Sequence, residues 1–130
     1  MNVINPGAVV AAVVLTFVAS SVWYGVLGHQ LAELSPVYAA GDRSPLLTLG
    51  VEVVRNTIVV LVVALLISRL DVAGVGGALG LALLLWVGMP VVLLAGSVYH
   101  EKAPALLAAI HLGDWLIKLV IVDLTIALWR

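Results

Sequence analysis

The chain has 130 residues, which is the length of one ordinary domain. Hydrophobic residues make up 64% of it and charged residues 10%, whereas soluble domains are about half apolar and about a quarter charged. The six basic and seven acidic side chains cannot solvate the surface of a soluble protein of this size, so the chain is expected to lie in lipid. A net charge of −1 gives no electrostatic basis for nucleic-acid binding, and the absence of cysteine excludes disulfides, thiolate metal sites and cysteine nucleophiles.

Apolar stretches long enough to cross a membrane, about 20 residues each, occur at about 7–28, 47–68, 72–99 and 104–129. These runs are continuously apolar, whereas barrel strands alternate apolar and polar residues. The sequence therefore predicts an all-α fold: a polytopic bundle of four transmembrane helices with short loops, forming one domain over residues 1–130.

The first span is preceded by no Lys or Arg and is longer than the apolar core of a secretory signal, so we expect it to be retained as a membrane helix. In the loop that follows, Leu31, Leu34, Val37 and Tyr38 fall at helical spacing. This spacing predicts a short helix lying on the membrane surface.

An even number of spans puts both termini on one side of the membrane. Arg69 and Arg130 lie on the terminal side, and Arg43 and Lys102 lie on the other, so the distribution of basic residues does not select an orientation. We expect cytoplasmic termini in a bacterial inner membrane, because that arrangement is common among small proteins with four spans.

Polar residues interrupt two of the spans, and such residues usually face a bundle interior or a wet cavity. They are Glu52, Arg55 and Asn56 in the second span and His111, Asp114 and Lys118 in the fourth. At 1.5 Å per residue, Glu52 and His111 lie roughly 10 Å deep, and Arg55 and Asp114 roughly 14 Å deep. The matched depths predict two cross-helix pairs, Glu52 with His111 and Arg55 with Asp114, between neighbouring spans. Lys118 can also pair with Asp114 along its own helix.

The polar cluster has two interpretations. It can bind or translocate a proton, ion or small polar solute, since His111 titrates near neutral pH and beside Glu52 could carry a proton. It can instead be a neutral network that fixes helix register. Asp123, outside the cluster, is expected at the terminal-side interface beside Arg69 and Arg130.

A metal site is the weaker alternative, with His29, His100 and His111 as candidate ligands. No two of these histidines have ligand spacing within one span, so neither a metal nor a cofactor is predicted. No hydrolase, metalloprotease, P-loop or dinucleotide motif occurs in the sequence, and we expect no enzymatic activity.

Small residues recur at intervals of four in the last two spans. They are Gly76 and Gly80 in the third span and Ala105, Ala109 and Gly113 in the fourth. Such faces allow helices to approach closely, so we expect them to pack within the bundle, with self-association into a homo-oligomer as the second use. Pro90 frees a backbone carbonyl inside the third span and predicts a kink near Trp86–Pro90, serving either packing or gating.

Several short motifs resemble one protein family. They are Asn5, the run from Trp23 to Gly28, Gly76 to Gly80, Trp86 to Gly88, Tyr99 to Ala103 and Ile110 to Trp115. Together they are similar to the DUF1761 family of small bacterial membrane proteins with four spans. The resemblance extends over nearly the whole chain and implies no activity, because the family is defined by unknown function.

The sequence therefore supports two hypotheses. The first is an integral membrane protein that binds or translocates a proton, ion or small polar solute through the polar cluster between spans two and four. The alternative is a non-catalytic structural or accessory subunit of a membrane complex.

Overall fold

The computed structural model describes residues 4–36 and 44–129, and all regular secondary structure in these ranges is helical. The elements in chain order are α1 (Pro6–Val26), α2 (Gly28–Leu34), α3 (Pro45–Leu70), α4 (Gly74–Trp86), a π-helical turn (Val87–Val91), α5 (Val92–His100) and α6 (Ala105–Leu128).

In the part of the chain that the structure describes, four helices are long and apolar enough to cross a membrane: α1, α3, the continuous rod Gly74–His100, and α6. The rod is called the third span below. These helices coincide with the predicted spans to within a few residues, which confirms the all-α prediction of four membrane helices.

Capping residues explain where two of the spans begin. The Asn5 side chain accepts hydrogen bonds from the backbone amides of Gly7 and Ala8, and Pro6 occupies the first position of α1. Ser44 caps α3 in the same way, with Pro45 in the first position. A polar cap and a proline at the first turn satisfy or remove amides that have no partner within the helix.

The third span departs from α-helical geometry where the sequence predicts a kink. Val87–Val91 form a π-helical turn that contains Pro90. Proline has no amide hydrogen and its ring collides with the preceding turn, so the helix widens locally instead of continuing regularly.

Helix α6 lies at the centre of the bundle and packs against α1, α3 and the third span. The prediction that spans two and four are neighbours is therefore confirmed. Small side chains form much of the surrounding core, including Ala8, Ala12, Ala64 and Ala82, which are fully or almost fully buried. Such residues let helix backbones approach closely, and the resulting van der Waals contacts stabilise the bundle. They are needed because the hydrophobic effect does not drive helices together within lipid.

The predicted glycine and alanine faces lie elsewhere. Gly76, Gly80, Ala105 and Ala109 are exposed on the described bundle, and a Cβ atom built on either glycine would meet nothing within 4 Å. The expectation that these four residues pack inside the bundle is therefore wrong. Of the predicted packing residues, Gly113 makes a close approach, since a Cβ there would overlap the ring of Trp23.

The predicted short helix after the first span corresponds to α2. This helix follows α1 almost without interruption, and Leu31 is 2% exposed, in keeping with the packing of α2 against α6. Val37 and Tyr38, the other two residues of the predicted pattern, lie outside the described residues.

Candidate functional site

A cavity of about 680 Å³ lies between α1, α3 and α6, and the end of α2 reaches its margin. Its lining includes all six residues of the predicted polar cluster: Glu52, Arg55, Asn56, His111, Asp114 and Lys118. The remaining lining residues are Phe17, Ser20, Ser21, Tyr24, Ser35, Thr48 and Trp115. The structure thus brings the six predicted residues around one space.

The cavity extends from the end of the bundle that carries the first loop toward the middle of the membrane. Ser35 and Thr48 lie near the loop, within a turn or so of the ends of their helices. Asn56 lies roughly 18 Å along α3 from Ser44, and Lys118 roughly 21 Å along α6 from Pro104, at a rise of 1.5 Å per residue. Asn56 and Lys118 therefore mark the deep end.

Helix α1 supplies a wall that the charge pattern of the sequence did not reveal. Phe17, Ser20, Ser21 and Tyr24 recur at helical spacing, so they share one face of α1, and all four line the cavity. Two serines and a tyrosine on one face of an otherwise apolar span were the available signal. Their hydroxyl groups carry no charge, and the predicted cluster was limited to the two spans that contain charged residues.

The deep end holds an ion pair within α6. The Nζ atom of Lys118 lies 3.0 Å from Oδ2 of Asp114, and the Ser20 hydroxyl donates to Oδ1 of the same carboxylate at 2.5 Å. Asp114 is 2% exposed and Lys118 is 4% exposed, and the Lys118 ammonium also lies 5.1 Å from the centroid of the Trp115 ring. The predicted pairing along α6 is thus present, with α1 as an additional partner.

A second ion pair lies within α3, where Nη1 of Arg55 is 2.7 Å from Oε1 of Glu52. The predicted cross-helix pairs, Glu52 with His111 and Arg55 with Asp114, are not formed, and that prediction is wrong. Each carboxylate pairs with a cationic side chain one turn away on its own helix, at a spacing of three or four residues. The cavity separates α3 from α6 at this depth.

His111 contacts α1 instead of α3. Its Nδ1 atom and the Tyr24 hydroxyl form a hydrogen bond of 2.7 Å, and the two rings are tilted with centroids 5.7 Å apart. Because a hydroxyl can donate or accept, this bond accommodates either form of the imidazole. His111 thus connects the fourth span to the first at the wall of the cavity.

Asn56 differs from the other polar residues at the deep end. It is 2% exposed, it lines the cavity, and its Nδ2 amide group has no hydrogen-bond partner among the described residues. Buried side-chain donors in folded proteins nearly always have a partner, so the amide group of this cavity-lining residue is the one donor among the six predicted polar residues for which the described residues supply no acceptor.

Two tryptophans fix the helix that carries Asp114. The Nε1 group of Trp23 donates to the Ile110 carbonyl at 2.9 Å, and that of Trp86 donates to the Leu112 carbonyl at 2.9 Å. Because these indoles come from α1 and from the third span, α6 is held from two sides directly before Asp114.

The candidate metal ligands do not converge. Nε2 of His29 lies 3.0 Å from Oε1 of Glu33 on α2. The ring of His100 packs edge-on against that of Tyr99, and His111 lines the cavity. Within residues 4–36 and 44–129, no three histidine, cysteine or carboxylate side chains are grouped so that they could hold a metal ion.

Asp123 lies outside the cavity, within the last two turns of α6. It is 0% exposed, and neither carboxylate oxygen has a hydrogen-bond partner in another described residue. Arg130, one of its two predicted neighbours, lies outside the described residues. The expected pairing with Arg69 is not formed, and the carboxyl group is instead buried within the bundle.

Comparison with protein families gives a match over residues 7–127 to the model described as "Protein of unknown function (DUF1761)". The chain belongs to the DUF1761 family. This assignment covers nearly the whole chain and confirms the resemblance seen in its motifs. Comparisons of this DUF1761 protein with curated proteins and with solved structures give no significant match.

Proposed function

We propose that this DUF1761 protein is a non-catalytic membrane protein that binds a small polar solute in the cavity between α1, α3 and α6. The observation that carries the proposal is the Asn56 amide, which is buried in the cavity wall and has no partner among the described residues. A solute oxygen at this position would satisfy the amide and offset the cost of keeping a buried donor unpaired.

The way the charges pair favours a binding site over a network that fixes helix register. A network that fixes the register of α3 against α6 would join these two helices, whereas each ion pair here lies within one helix, and the hydrogen bonds of Asp114 and His111 to another helix run to α1. They therefore contribute little to holding α3 against α6, and they leave space between the two helices. Polar groups around such a space can be satisfied by a solute or by water.

The charge balance of the cavity limits the kind of solute. Glu52 neutralises Arg55, and Asp114 neutralises Lys118. A solute with net charge would be transferred from water to a site without an opposing net charge, which is costly inside a membrane protein. We therefore propose an uncharged or zwitterionic solute. Translocation of that solute across the membrane, or of a proton through His111, would be a more specific function that also uses this cavity.

The first experiment tests whether water reaches the deep end of the cavity. The chain has no cysteine, so Asn56→Cys introduces a single reactive thiol, and Val60→Cys, one turn further along α3 and fully buried in the core, is the matched control. A water-soluble methanethiosulfonate should modify the thiol at position 56 and leave the one at position 60 unmodified. Equal protection of both thiols would mean a closed, dry cluster and would contradict solute binding.

The second experiment tests binding in detergent-solubilised protein. Acetamide and glycine represent uncharged and zwitterionic solutes, and acetate represents an anion. We expect a saturable rise in unfolding temperature with at least one of the first two, and its loss in Asn56→Leu. A rise that persists in that variant would place binding away from this cavity.

A role as an accessory subunit is the second candidate, and the exposed glycines of α4 favour it. Gly76 and Gly80 leave an open surface on the outside of the described bundle, where another helix can approach closely. Gly76→Leu would weaken association with a second copy or another membrane protein and leave solute binding unchanged.

A bacterial inner membrane with cytoplasmic termini remains the proposed location.

A further inference from the structure

An apolar groove of about 400 Å³ lies on the outside of the bundle, close to the polar cavity. One side is formed by Val59 and Val62 of α3 and the other by Met89 and Leu93 of the third span, with Trp115 and Leu119 of α6 also lining it. Ile58, Val62, Met89 and Leu93 each expose more than half of their surface. The groove therefore faces the acyl chains of the bilayer.

Two features of the fold create this groove. Among the described residues, no Cα atom of α3 comes within 8 Å of one in the third span, although both helices pack against α6. The π-helical turn also places Met89 and Pro90 on the groove wall. Turns of this kind inside α-helices are frequently found at functional sites.

The groove and the cavity adjoin each other along two helices. Trp115 lines both spaces. On α3, Asn56 lines the cavity and Val59, one turn further, lines the groove. On α6 the same change occurs between Lys118 and Leu119. A polar recess with an unpaired amide thus borders a lipid-facing apolar channel.

We propose that the ligand is an uncharged amphiphile with a single hydrocarbon chain, whose head carries a carbonyl oxygen. This inference rests on the proposed solute site and names its ligand class. The carbonyl oxygen accepts a hydrogen bond from Nδ2 of Asn56, and the chain passes Trp115 and lies in the groove. The balanced charges of the cavity favour an uncharged head, and each methylene group gains contacts with the groove walls.

Any lipid chain could cover the groove alone, so the groove does not select its ligand. The adjoining polar cavity selects the ligand by the chemistry of its head. An anionic phospholipid head carries a net negative charge, which is not matched by a net positive charge among Glu52, Arg55, Asp114 and Lys118. A neutral ester or ketone presents the acceptor that Asn56 lacks and brings no charge into the site. The ligand can reach the site sideways from the bilayer.

The test uses Trp115 as the reporter and brominated monoolein, a neutral monoacylglycerol whose chain quenches indole fluorescence, as the probe. The full-length protein is reconstituted in phosphatidylcholine vesicles, and the probe is added at a low mole fraction. We expect saturable quenching in the wild-type protein. The saturable part should be absent in Trp115→Phe, where the other tryptophans report only general contact with the bilayer.

Paired variants locate the head and the chain. Asn56→Leu removes the amide and should weaken probe binding about tenfold, the effect of losing one hydrogen bond to a buried donor. Val62→Trp fills the groove and should weaken binding at least as much. Leu61→Trp places the same side chain on the adjacent exposed position outside the groove and should leave binding unchanged. Brominated stearate at alkaline pH should bind more weakly, since its head is an anion.

Monoacetin, which has the same head and almost no chain, separates this inference from the proposed function. The protection assay uses Ser21→Cys, which lines the cavity on α1 and keeps the Asn56 amide. If monoacetin protects this thiol as well as monoolein does, and if Val62→Trp has no effect, the amphiphile is wrong and a small polar solute is retained. Quenching that rises linearly and equally in wild type, Asn56→Leu and Val62→Trp reports bulk lipid and overturns the amphiphile. If, in addition, neither head protects position 21, the solute site fails as well.

Discussion

Gly113 and Trp23 fit together at the contact between α6 and α1. A Cβ atom on Gly113 would overlap Cζ2 of the Trp23 ring, and the Nε1 group of that ring donates a hydrogen bond of 2.9 Å to the Ile110 carbonyl. The ring therefore cannot turn away from a larger residue without losing this hydrogen bond. Because Gly113 directly precedes Asp114, the contact also determines how the buried carboxylate faces the cavity.

Gly113→Ala is expected to destabilise the bundle by about 1–3 kcal/mol, the usual cost of inserting a methyl group where no space exists. The measurement is unfolding in mixed micelles by titration with sodium dodecyl sulfate. Gly96→Ala is the matched control, since a Cβ at Gly96 would meet nothing within 4 Å and alanine favours a helix over glycine. Equal stability of the two variants would show that the Trp23 contact is not restrictive.

Because Asp114 and Lys118 form a buried ion pair, substituting either residue alone should lower the stability of the protein strongly. Removing one partner leaves an uncompensated charge in the interior, which typically costs about 3–5 kcal/mol. Asp114→Asn and Lys118→Met should each cause a large loss in the same unfolding assay. The double variant should lose much less than the sum of the two, and additive losses would indicate that the pair is not coupled.

The more exposed pair of Glu52 and Arg55 should behave differently. Its side chains are 33% and 55% exposed, and exposed pairs contribute about 0–1 kcal/mol. Glu52→Gln should therefore change the free energy of unfolding by less than 1 kcal/mol, by the same reasoning. A loss as large as that of Asp114→Asn would mean that Glu52 stabilises a contact between helices.

A charge exchange between α3 and α6 distinguishes the observed pairing from the cross-helix pairing that residue depths suggest. The double variant Arg55→Asp with Asp114→Arg restores opposite charges across the cavity but places like charges within both helices. We expect no rescue of folding relative to the single variants. Rescue, measured as folded protein recovered from membranes, would favour a direct contact between Arg55 and Asp114.

The sequence was sufficient to predict the four helices, because continuous apolar runs, proline and polar caps act over a few neighbouring residues. It also identified the six polar residues around the cavity, since charges in a lipid-embedded helix are drawn to one interior. It could not determine how they pair. Glu52 has a possible partner one turn along its own helix, Arg55, and another at a similar membrane depth on α6, His111. The depth of a residue along a helix axis does not tell in which direction its side chain is rotated about that axis. The contributions of Ser20 and Tyr24 depend on that same rotation.

The glycine faces show the same limit. A repeat of small residues at intervals of four predicts that a helix face allows close approach, but the repeat does not say which neighbour uses it. Gly113 meets Trp23 inside the bundle, whereas Gly76 and Gly80 face outward. The outward pair keeps self-association as a prediction, and cross-linking of the protein in vesicles, compared with Gly76→Leu, is the measurement that checks it.

Asp123 supplies the last prediction. Its carboxyl group is fully buried, and neither oxygen has a hydrogen-bond partner in another described residue, among core neighbours such as Leu119 and Ile126 on the same helix. Replacing a buried polar group that lacks partners with an apolar group of similar size removes a desolvation penalty of about 1–3 kcal/mol. Asp123→Leu is therefore expected to stabilise the protein in the unfolding titration. Val122→Asp is the complementary variant, because it adds a second carboxyl group at a fully buried neighbouring position and should destabilise strongly. If Asp123→Leu destabilises as well, the prediction that the buried carboxyl group costs stability is wrong.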